Sequence, residues 1–532
     1  MRRNVFLIGL DGATFTVLDP LMERGVMPFL RDFIARGVRA PLRTIMPPLT
    51  PPAWTSLVTG LRPGRHGVFD FFQKESADSE YYALATSQDI QAPTIWSLAS
   101  AAGRRVACLN FPLMFPPPDV NGWVVPGGWM PWRQLRLGCH PPGLFDELKG
   151  LPSFDPRELA LDMELEAKAI EGCTADEHAD WIRLHGRREK RWFDILRHLL
   201  AKDEPAELVA VMFDGPDKLQ HLCWRFIDPA SRPEHPEPWE QEVIDLCDDY
   251  FRDLDRMLEQ VVELAGPEAT VVLASDHGFG PTRKVFYVNQ WLEQHGYLRW
   301  RDAEAGGSDA GAAPQVGFAQ MTRHVHDLDW ARTVAYAATP SSQGINLVRT
   351  PPDGSPGVPP ERHDELLAEI AHRLRKEPLV LDVLTRTEAF AGPHAARAPD
   401  LSLVLVDGTA VSILRSDTLV REREQPNGNH RWRGILVASG PELRHGARCD
   451  EVSIVDVAPL VLHGLGVPVP EDLDGQLPAE LFDPAALARR PVRHAPAAAP
   501  AAPVPAAVAP SDYDLEEEAA VVSRLRALGY LE

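Results

Sequence analysis

Short, continuously apolar segments constrain this chain most, because they recur along most of its length with helical stretches between them. Rich in Val, Leu and Ile, they span residues 5–10, 106–110, 208–213, 270–274, 401–406 and 434–438. Segments of this length that neither alternate nor follow a helical period are typical of strands covered on both faces. The pattern predicts an α/β fold, a three-layer α/β/α sandwich with helices on both sides of a mostly parallel central sheet.

Polar residues follow four of these predicted strands. They are Asp11, Asp214 with Asp217 beyond it, Asp276 with His277, and Asp407. In mostly parallel sheets, ligands bind beyond the carboxyl ends of the strands. We therefore expect a metal or substrate site at this edge of the sheet.

The 532 residues divide by composition into a body and a tail. Residues 1–485 are expected to form one large body with two interruptions: a Trp- and Pro-rich insertion at about 75–202 that caps the sheet edge, and an irregular loop at about 302–314. Segment 486–510 is mostly Ala and Pro, a composition that forms an extended linker. In residues 511–532, Leu and Val recur at helical spacing, which predicts a C-terminal helix that docks on the body or on a neighbouring subunit of a homo-oligomer.

The charge and the cysteines bear on partners and location. The chain has 54 Lys plus Arg against 76 Asp plus Glu, a formal charge of −22, which argues against nucleic-acid polymers and anionic membranes as partners. The 6 cysteines show no C-x-x-C spacing, which favours free thiols in a reducing compartment. The first apolar segment ends at Asp11, too early for a signal peptide or a membrane span. We therefore expect a cytoplasmic protein.

Asp217 and His221 follow Pro216 and lie four residues apart. Proline favours the first turn of a helix, and a helix would place both side chains on one face, where they could hold one cation. A capping aspartate and a surface histidine explain the same pattern about as well. Asp214 competes with Asp217 as the ligand but ranks second, because it directly follows the strand and lies further from His221.

Three further positions carry a functional and a structural interpretation when each is considered alone. Asp11 is the third residue of the Gly-Leu-Asp-Gly segment 9–12, whose glycines allow close approach of an ion. For an aspartate at the end of a strand, however, a role in a turn or as a helix cap is more frequent. Asp276 and His277 end a predicted buried strand, where either a divalent metal or a hydrogen-bonded turn would offset their desolvation. His430 lies in a turn-rich segment, in which a loop histidine is the more frequent case.

Thr50 is expected at the N-terminus of a helix. It lies in a proline-rich loop, and the apolar pattern that follows predicts a helix starting near Pro52. A helix N-terminus attracts anions, although a threonine there usually serves as an N-cap. Thr50 gains interest because carboxylates and histidines suited to two metal sites occur at the predicted strand ends.

Taken together, these residues resemble the metal-binding and nucleophile pattern of the alkaline phosphatase superfamily, particularly its type I phosphodiesterase/nucleotide pyrophosphatase branch. In family order they are Asp11, Thr50, Asp217 with His221, Asp276 with His277, and His430. The resemblance extends to about Asp474. The chain is most similar to the bacterial cytoplasmic subgroup of predicted phosphohydrolases and phosphomutases, whose members also end in a Leu-Gly-Tyr segment such as residues 528–530.

The resemblance implies a two-metal phosphohydrolase that acts on a small phosphate ester. One divalent metal would be held by Asp217, His221 and His430, and the other by Asp11, Asp276 and His277 with the Thr50 oxygen. Zn²⁺ is the expected metal, because Asp/His/His sites suit it, and Mn²⁺ is the alternative. Thr50 would attack phosphorus and form a phosphothreonine, because metal coordination activates a hydroxyl that has no neighbouring base.

Two departures from the family pattern bear on the predicted activity. Residues 50–53 include no Asn, which in the phosphodiesterase branch donates to a phosphoryl oxygen, so Asn110 or a backbone N–H near Thr50 is expected to replace it. Residues 50–54 also lack the Cys or Ser and the Arg of sulfatases, which argues against sulfatase activity.

Weaker candidates flank the Thr50 loop. Arg43, Arg62 and Arg65 would either hold a phosphate or form surface salt bridges, and His66 is expected to orient the loop by hydrogen bonds. Phosphodiesterase activity is the leading function. A phosphomutase or phosphomonoesterase using the same metals is the first alternative, and a catalytically inactive binding or regulatory protein is the second.

Overall fold

The computed structural model describes residues 3–74, 82–127, 134–159, 174–301, 327–339, 341, 343–351 and 353–497. The predicted loop at 302–314, the predicted C-terminal helix at 511–532 and most of the predicted linker lie outside these residues. Among the described helices, none combines the length and the apolar composition needed to cross a membrane.

A nine-stranded sheet forms the centre of the body. Its strands follow the order Ala447–Arg448, Val38–Arg43, Arg433–Ser439, Thr270–Ala274, Val5–Leu10, Leu208–Phe213, Val106–Leu109 and Gly122–Val125, and Val452–Ser453 also pairs with Val38–Arg43. All neighbours run parallel except Arg433–Ser439, which is antiparallel to both strands beside it. The predicted mostly parallel sheet is confirmed.

Successive side chains of the central strands enter two different apolar cores, because residues of a strand point alternately to opposite faces. In strand Val5–Leu10, Ile8 enters one core and Leu7 enters the other. The first core also contains the helices Phe15–Glu23, Pro28–Arg36, Ala175–Leu200, Gly215–Ile227 and Pro238–Ala265. The second contains the helices Thr50–Thr59, Ile95–Ala101 and Val457–Leu465. The predicted three-layer sandwich is therefore confirmed.

The remaining elements of the described chain are shorter. The further α-helices are Pro63–His66, Leu135–Gly138, Leu144–Leu148, Pro156–Leu159, Val288–Gln294, His363–Leu374, Arg386–Ala389 and Pro484–Arg489. Turns of 3₁₀-helix occupy Ser87–Asp89, Trp330–Arg332, Pro360–Arg362, Ala395–Arg397, Ile454–Asp456 and Ala479–Leu481. Two small strand pairs join Phe72–Lys74 to Tyr82–Leu84 and Val469–Pro470 to His494–Ala495.

Between Gly278 and Arg431 the chain forms two more sheets, and a third apolar core lies largely within this stretch. The three-stranded sheet has the order Thr409–Ser412, Gly278–Tyr287, Val420–Arg431. The four-stranded sheet is antiparallel and has the order Ala335–Tyr336, Gly344–Leu347, Leu401–Leu405, Val380–Thr385. We call this part of the chain the second lobe.

One predicted strand lies in the second lobe instead of the central sheet. Segment 401–406 does form a strand, Leu401–Leu405, but the prediction that Asp407 lies at the edge of the central sheet is wrong. Leu401 and Leu403 fill the core of the second lobe, so the same apolar pattern serves a different sheet. The Asp407 side chain is 80% exposed and pairs with Arg431.

The predicted insertion and linker both include parts of the body. Segment 75–202 provides two strands of the central sheet and the helix Ala175–Leu200, which packs on Pro238–Ala265. Segment 486–510 begins within the helix Pro484–Arg489, and its strand His494–Ala495 pairs with Val469–Pro470. The capping role of the insertion and the domain boundaries stay predictions.

Three neighbouring parallel strands bring the predicted ligands to one edge. Thr270–Ala274, Val5–Leu10 and Leu208–Phe213 lie side by side at the centre of the sheet. Because parallel strands end at the same edge, Asp276 and Asp11 come together there with the helix that begins at Gly215.

Candidate active site

The helix Gly215–Ile227, here called the Asp217 helix, carries the first pair of candidate ligands. Asp214 precedes it and Pro216 lies in its first turn, as the sequence predicts. Asp217 and His221 share one face, with Asp217 Oδ1 3.4 Å from His221 Nε2. His430 approaches from the strand Val420–Arg431, and its Nε2 lies 3.3 Å from Asp217 Oδ1 and 3.1 Å from His221 Nε2. The structure thus brings the predicted trio together.

The second set of candidate ligands follows the two neighbouring strands. Asp11 ends Val5–Leu10, and Asp276 and His277 follow Thr270–Ala274. His277 Nε2 lies 3.1 Å from Asp276 Oδ2 and 3.6 Å from Asp11 Oδ1. The backbone N–H of Gly12 donates to Asp276 Oδ1 at 3.1 Å and fixes the position of this carboxylate.

His277 joins the two sets into one cluster. Its ring stacks on the His430 ring with 3.6 Å between centroids. Thr50 is the first residue of the helix Thr50–Thr59, and its Oγ1 lies 3.4 Å from His277 Nε2. The helix begins two residues earlier than predicted, so Thr50 is part of it. Thr50, Asp11, Asp217, Asp276 and His277 are all buried.

Backbone carbonyls fix the protons of two imidazoles. His430 Nδ1 lies 2.9 Å from the Pro48 carbonyl oxygen, and His277 Nδ1 lies 3.2 Å from the carbonyl oxygen of Gly278. A carbonyl only accepts, so in both rings Nδ1 carries the proton and Nε2 presents a lone pair to the cluster. This is the tautomer in which Nε2 can bind a metal.

The atoms at the centre of the cluster fit divalent cations. Among the described residues, Asp11 Oδ1 and Asp276 Oδ2 are buried without a hydrogen-bond partner. Because His277 Nε2 carries no proton, it cannot donate to either carboxylate, and a divalent cation bound between these atoms would offset the cost of burying them. The side chains form two sets, and within each set the donor atoms lie within 4.8 Å of one another. One set is Asp217, His277 and His430, and the other is Asp11, Asp276 and His277. His277 belongs to both.

Burial sets the protonation of these groups. It raises the pKa of Asp276 to about 8, and burial together with the nearby Asp276 raises the pKa of Asp11 well above its usual value. For Asp217, burial acts in the same direction, but attraction to His221 holds the pKa well below its usual value. Burial also lowers the pKa values of His277 and His430, which favours the neutral imidazoles that bind metals.

Some neighbours of the cluster escaped the sequence analysis. Lys218 is buried beside Asp217, with its Nζ 3.9 Å from Asp217 Oδ2. The Phe279 ring packs edge-on against His221 and His430, at centroid distances of 4.8 and 5.3 Å. The adjacency of Lys218 to Asp217 was visible in the sequence, but the position of Phe279 depends on the fold of the second lobe.

The arginines that flank the Thr50 loop have carboxylate partners. Arg43 is 63% exposed and pairs with Glu451 at 3.5 Å. Arg65 pairs with Asp474 at 3.1 Å and with Asp472 at 3.3 Å. The backbone N–H of Arg62 donates to Asp474. Salt bridging, the structural interpretation of these residues, therefore describes Arg43 and Arg65.

Asn110 and His66 lie in hydrogen-bond networks. The Asn110 amide donates to the Met212 carbonyl at 2.9 Å, with Asp214 Oδ1 3.4 Å away. His66 Nδ1 accepts from the Val68 N–H at 3.2 Å and Nε2 lies 2.9 Å from Ser56 Oγ. Burial lowers the pKa of His66 to about 3, so it is neutral. His66 thus joins the helix Thr50–Thr59 to the segment around Val68, and its role in orienting the Thr50 loop stays a prediction.

The fold and the cluster define a metal-dependent phosphoester hydrolase of the alkaline phosphatase superfamily. A family profile described as type I phosphodiesterase/nucleotide pyrophosphatase matches residues 5–433, and the chain belongs to this family. None of the curated protein sequences matches the chain.

Solved structures support the fold. Murine ectonucleotide pyrophosphatase/phosphodiesterase 5 is 15% identical with a TM-score of 0.52, and the match covers 90% of this chain and 100% of the murine chain. The human protein of the same name gives 15% identity, a TM-score of 0.51 and the same coverage, 90% and 100%. Phosphonoacetate hydrolase from Sinorhizobium meliloti 1021, in complex with phosphonoformate, is 18% identical with a TM-score of 0.50, covering 88% of this chain and 96% of the hydrolase.

Proposed function

We propose that this chain hydrolyses a small phosphodiester with Thr50 as the nucleophile. The observation that carries the proposal is the position of Thr50 Oγ1, 3.4 Å from His277 Nε2 and at the start of a buried helix. The N–H groups of a helix N-terminus attract phosphate oxygens. The Thr50 hydroxyl lies between this helix end and the candidate metal-binding side chains. From there it could attack the phosphorus of a bound substrate.

Two divalent cations would use the side chains of the cluster. The first would be held by Asp217, His221 and His430, and the second by Asp11, Asp276 and His277 with the Thr50 oxygen. When bound, such cations lower the pKa of a coordinated hydroxyl and offset the charge of phosphoryl oxygens. Zn²⁺ suits the imidazole-rich set, and Mn²⁺ is the alternative.

The reaction divides into two displacements at phosphorus. Thr50 Oγ gives up its proton to water and forms a bond to phosphorus while the bond to the leaving oxygen breaks, and the leaving oxygen takes up a proton from water. Water then hydrolyses the phosphothreonine, which releases the phosphate product and restores the hydroxyl. The chain contributes positions: the helix start holds Thr50, and the carbonyls of Pro48 and Gly278 hold the rings of His430 and His277.

Replacing Thr50 by alanine tests this mechanism directly. We expect Thr50→Ala to lose at least about 1,000-fold in hydrolysis of bis(4-nitrophenyl) phosphate, because the attacking atom is gone. Thr50→Ser keeps a hydroxyl at the same place and should retain measurable turnover. Equal metal content in both variants shows that the site is intact, and full activity of Thr50→Ala would exclude a threonine nucleophile.

A paired assay separates the phosphodiesterase from the alternatives. Metal-loaded protein is given bis(4-nitrophenyl) phosphate in one series and 4-nitrophenyl phosphate in another, with Zn²⁺ or Mn²⁺ added. A higher kcat/KM for the diester supports the proposal. Preference for the monoester, or transfer of the phosphoryl group to a second substrate hydroxyl, would favour the phosphomonoesterase or phosphomutase.

The same proposal includes a cytoplasmic location. The five cysteines of the described chain, Cys108, Cys139, Cys223, Cys247 and Cys449, are all free thiols. Free thiols persist in a reducing compartment. The homo-oligomer expected from the C-terminal helix stays a prediction, because that helix lies outside the described residues.

A further inference from the structure

The second lobe leaves the body at Gly278 and returns at Arg431, and these residues directly adjoin His277 and His430. The two connecting strands pair with each other, with Gly278 opposite Arg431. The proposed nucleophile Thr50 belongs to the body, whereas His430 belongs to the second lobe. The position of Thr50 relative to His430 therefore depends on how the lobe is held against the body.

A separate contact between the lobe and the body centres on Asp70. This residue follows the helix Pro63–His66 and is only 5% exposed. Its Oδ2 accepts a hydrogen bond from Thr339 Oγ1, and its Oδ1 accepts from Ser341 Oγ at 2.8 Å. The Phe71 N–H also donates to Oδ1, at 2.6 Å. A carboxylate of the body thus binds two hydroxyls of the second lobe. We call Asp70, Thr339 and Ser341 the clasp.

Apolar side chains surround the clasp. Phe69, which precedes Asp70, packs edge-on against Phe390 of the second lobe with 5.3 Å between the ring centroids. The same apolar cluster includes Met46 and Ala398, and Trp432 packs against it. A buried carboxylate is costly unless it is hydrogen-bonded. The two hydroxyls of the lobe therefore stabilise Asp70 only while the lobe and the body stay in contact.

Within the body, hydrogen bonds connect the clasp to the helix of the proposed nucleophile. The Val68 N–H donates to His66 Nδ1 at 3.2 Å, and His66 Nε2 lies 2.9 Å from Ser56 Oγ. Ser56 belongs to the helix Thr50–Thr59. Asp70 lies two residues beyond Val68, so a path with only two hydrogen bonds joins the clasp to this helix.

Within the second lobe, the clasp is connected to the strand that follows His277. Ala337 lies two residues before Thr339 and exchanges two hydrogen bonds with the Asn289 side chain, at 2.8 and 3.0 Å. Asn289 lies in the helix Val288–Gln294, which directly follows the strand Gly278–Tyr287. The lobe side of the clasp is thereby anchored to one of the two strands that join the lobe to the body.

His430 closes a ring of contacts around the Thr50 loop. It lies opposite Phe279 of that strand, and its Nδ1 lies 2.9 Å from the Pro48 carbonyl oxygen. Pro48 precedes Thr50 by two residues. The ring thus runs from the helix of Thr50 through the clasp and the second lobe to His430, and back to the Thr50 loop. Opening the clasp would leave this loop held from one side only.

We propose that the clasp positions Thr50 relative to His430, with Asp70 as its central residue. The proposal rests on the proposed function, because it assigns a positioning role in the same reaction. Attack requires Thr50 Oγ to lie close to the phosphorus and in line with the leaving oxygen, so small displacements have large effects on the rate. Asp70 acts through its neighbours and takes no part in the bond changes.

Replacing Asp70 in the metal-loaded protein tests the proposal with bis(4-nitrophenyl) phosphate. A displacement of about 1 Å can cost about 100-fold in rate, and we expect Asp70→Ala to lose at least about tenfold in kcat with unchanged metal content. Asp70→Asn keeps one accepting oxygen and adds an N–H that can donate to Thr339 Oγ1, so it should recover much of kcat. Thr339→Val removes one of the two hydroxyls and should show an intermediate loss.

Asp255→Ala is the matched control. Asp255 is 3% exposed and accepts hydrogen bonds from the Phe29 and Leu30 N–H groups, all within the body. Its replacement also removes a buried, hydrogen-bonded carboxylate, so it should lower stability. Assayed below the onset of unfolding, this variant should keep the wild-type kcat, because it leaves the clasp intact.

Hydrogen–deuterium exchange provides a readout that does not depend on turnover. In Asp70→Ala we expect faster exchange in the helix Thr50–Thr59 as well as around residue 70, whereas Asp255→Ala should leave that helix unchanged. Wild-type kcat in Asp70→Ala would overturn the proposal, and so would a loss of kcat that Asp255→Ala matches or that follows loss of metal. If the wild-type protein hydrolyses neither test ester, the proposed function fails. Unchanged exchange of the helix Thr50–Thr59 in Asp70→Ala would then overturn the clasp as well.

Discussion

His277 and His430 show how single residues acquire a role from their surroundings. Each is unremarkable in the sequence, and each becomes a potential metal ligand because a backbone carbonyl holds its Nδ1 proton. Their ring centroids lie 3.6 Å apart, so two protonated rings would repel each other. The fold of the second lobe thus brings together two histidines that are far apart in the sequence.

Replacing Asp217 should remove one of the two cations. Asp217→Asn takes away the carboxylate that faces His221 and His430, and we expect metal per chain to fall from about two equivalents to about one. Elemental analysis after dialysis measures this. Asp203→Asn is the matched control, because Asp203 is exposed and precedes the strand Leu208–Phe213, whose opposite end leads into the Asp217 helix. Absence of metal from the wild type would instead favour an inactive binding protein.

The sequence predicts these residues unequally, and geometry explains the difference. Asp11 and Asp276 follow strands whose burial is visible in their composition, so their place at one edge could be predicted. The contact between His430 and Asp217 depends on the strand Val420–Arg431. This strand is polar, so it lacks the apolar pattern that predicts the central strands. Family resemblance supplied that residue, and local pattern alone did not.

The Asp217 helix owes its position to a tight contact at its first residue. The Gly215 N–H donates to Glu189 Oε1 at 2.6 Å, and Tyr250 donates to the same oxygen at 3.1 Å. A Cβ on Gly215 would lie 2.2 Å from Tyr250 Oη and 2.5 Å from Glu189 Oε1. The start of the helix therefore accepts glycine alone without movement of its neighbours.

Gly215→Ala should displace this helix. We expect a loss of about 1–3 kcal/mol in the free energy of unfolding, as for other overpacked buried sites, together with weaker metal binding through Asp217 and His221. Denaturant titration and metal titration measure the two effects. Gly186→Ala lies on the facing helix with 4.0 Å of room, so it should be neutral or stabilising, and the opposite ranking would contradict the steric argument.

Asp400 connects the strands of the second lobe. Its carboxylate binds Arg349 at 2.6 Å and accepts from the Leu347 N–H at 2.8 Å, and it also pairs with Arg386. Burial alone would raise the pKa of Asp400, but the hydrogen bond from Arg349 and the attraction of Arg386 hold it below its usual value. Ionised Asp400 therefore stabilises the folded lobe.

Asp400→Asn should destabilise the protein at neutral pH. Removing one partner from a buried ion pair costs about 3 kcal/mol or more. Because the folded pKa lies below the unfolded value, this contribution is present above about pH 4 and is lost as the pH falls through the folded pKa. Denaturant unfolding at pH 7 and near pH 3 should thus show a difference between wild type and variant that shrinks in acid. Asp382→Asn, an exposed partner of Arg375, should change stability by less than about 0.5 kcal/mol.

At the scale of the whole molecule, the proposed substrate and the protein carry charge of the same sign, because both are negative. The chain has a formal charge of −22, which repels anions at long range. Attraction must therefore be local, and we expect it from the cluster when its two divalent cations are bound. Arg43 and Arg65 have acidic partners that offset part of their charge, and their predicted role in holding a phosphate stays a prediction.

The three-layer architecture could be predicted from the sequence more easily than the assignment of segments to the central sheet or to the second lobe. Composition marks the Trp-rich stretch after residue 75 as separate, yet besides the predicted strand at 106–110 it supplies a second strand of the central sheet, Gly122–Val125. The second lobe has no unusual composition, and segment 401–406 shows the same apolar pattern as the central strands. Sheet membership depends on long-range pairing, which a local pattern does not encode.

The antiparallel strand Arg433–Ser439 has a consequence for how the protein is made. It carries the chain back into the central sheet directly after His430, once the second lobe has been built. A polypeptide emerging from the ribosome therefore presents Asp11, Thr50 and Asp276 long before it can present His430. The full set of proposed ligands is therefore complete only when most of the chain has been translated.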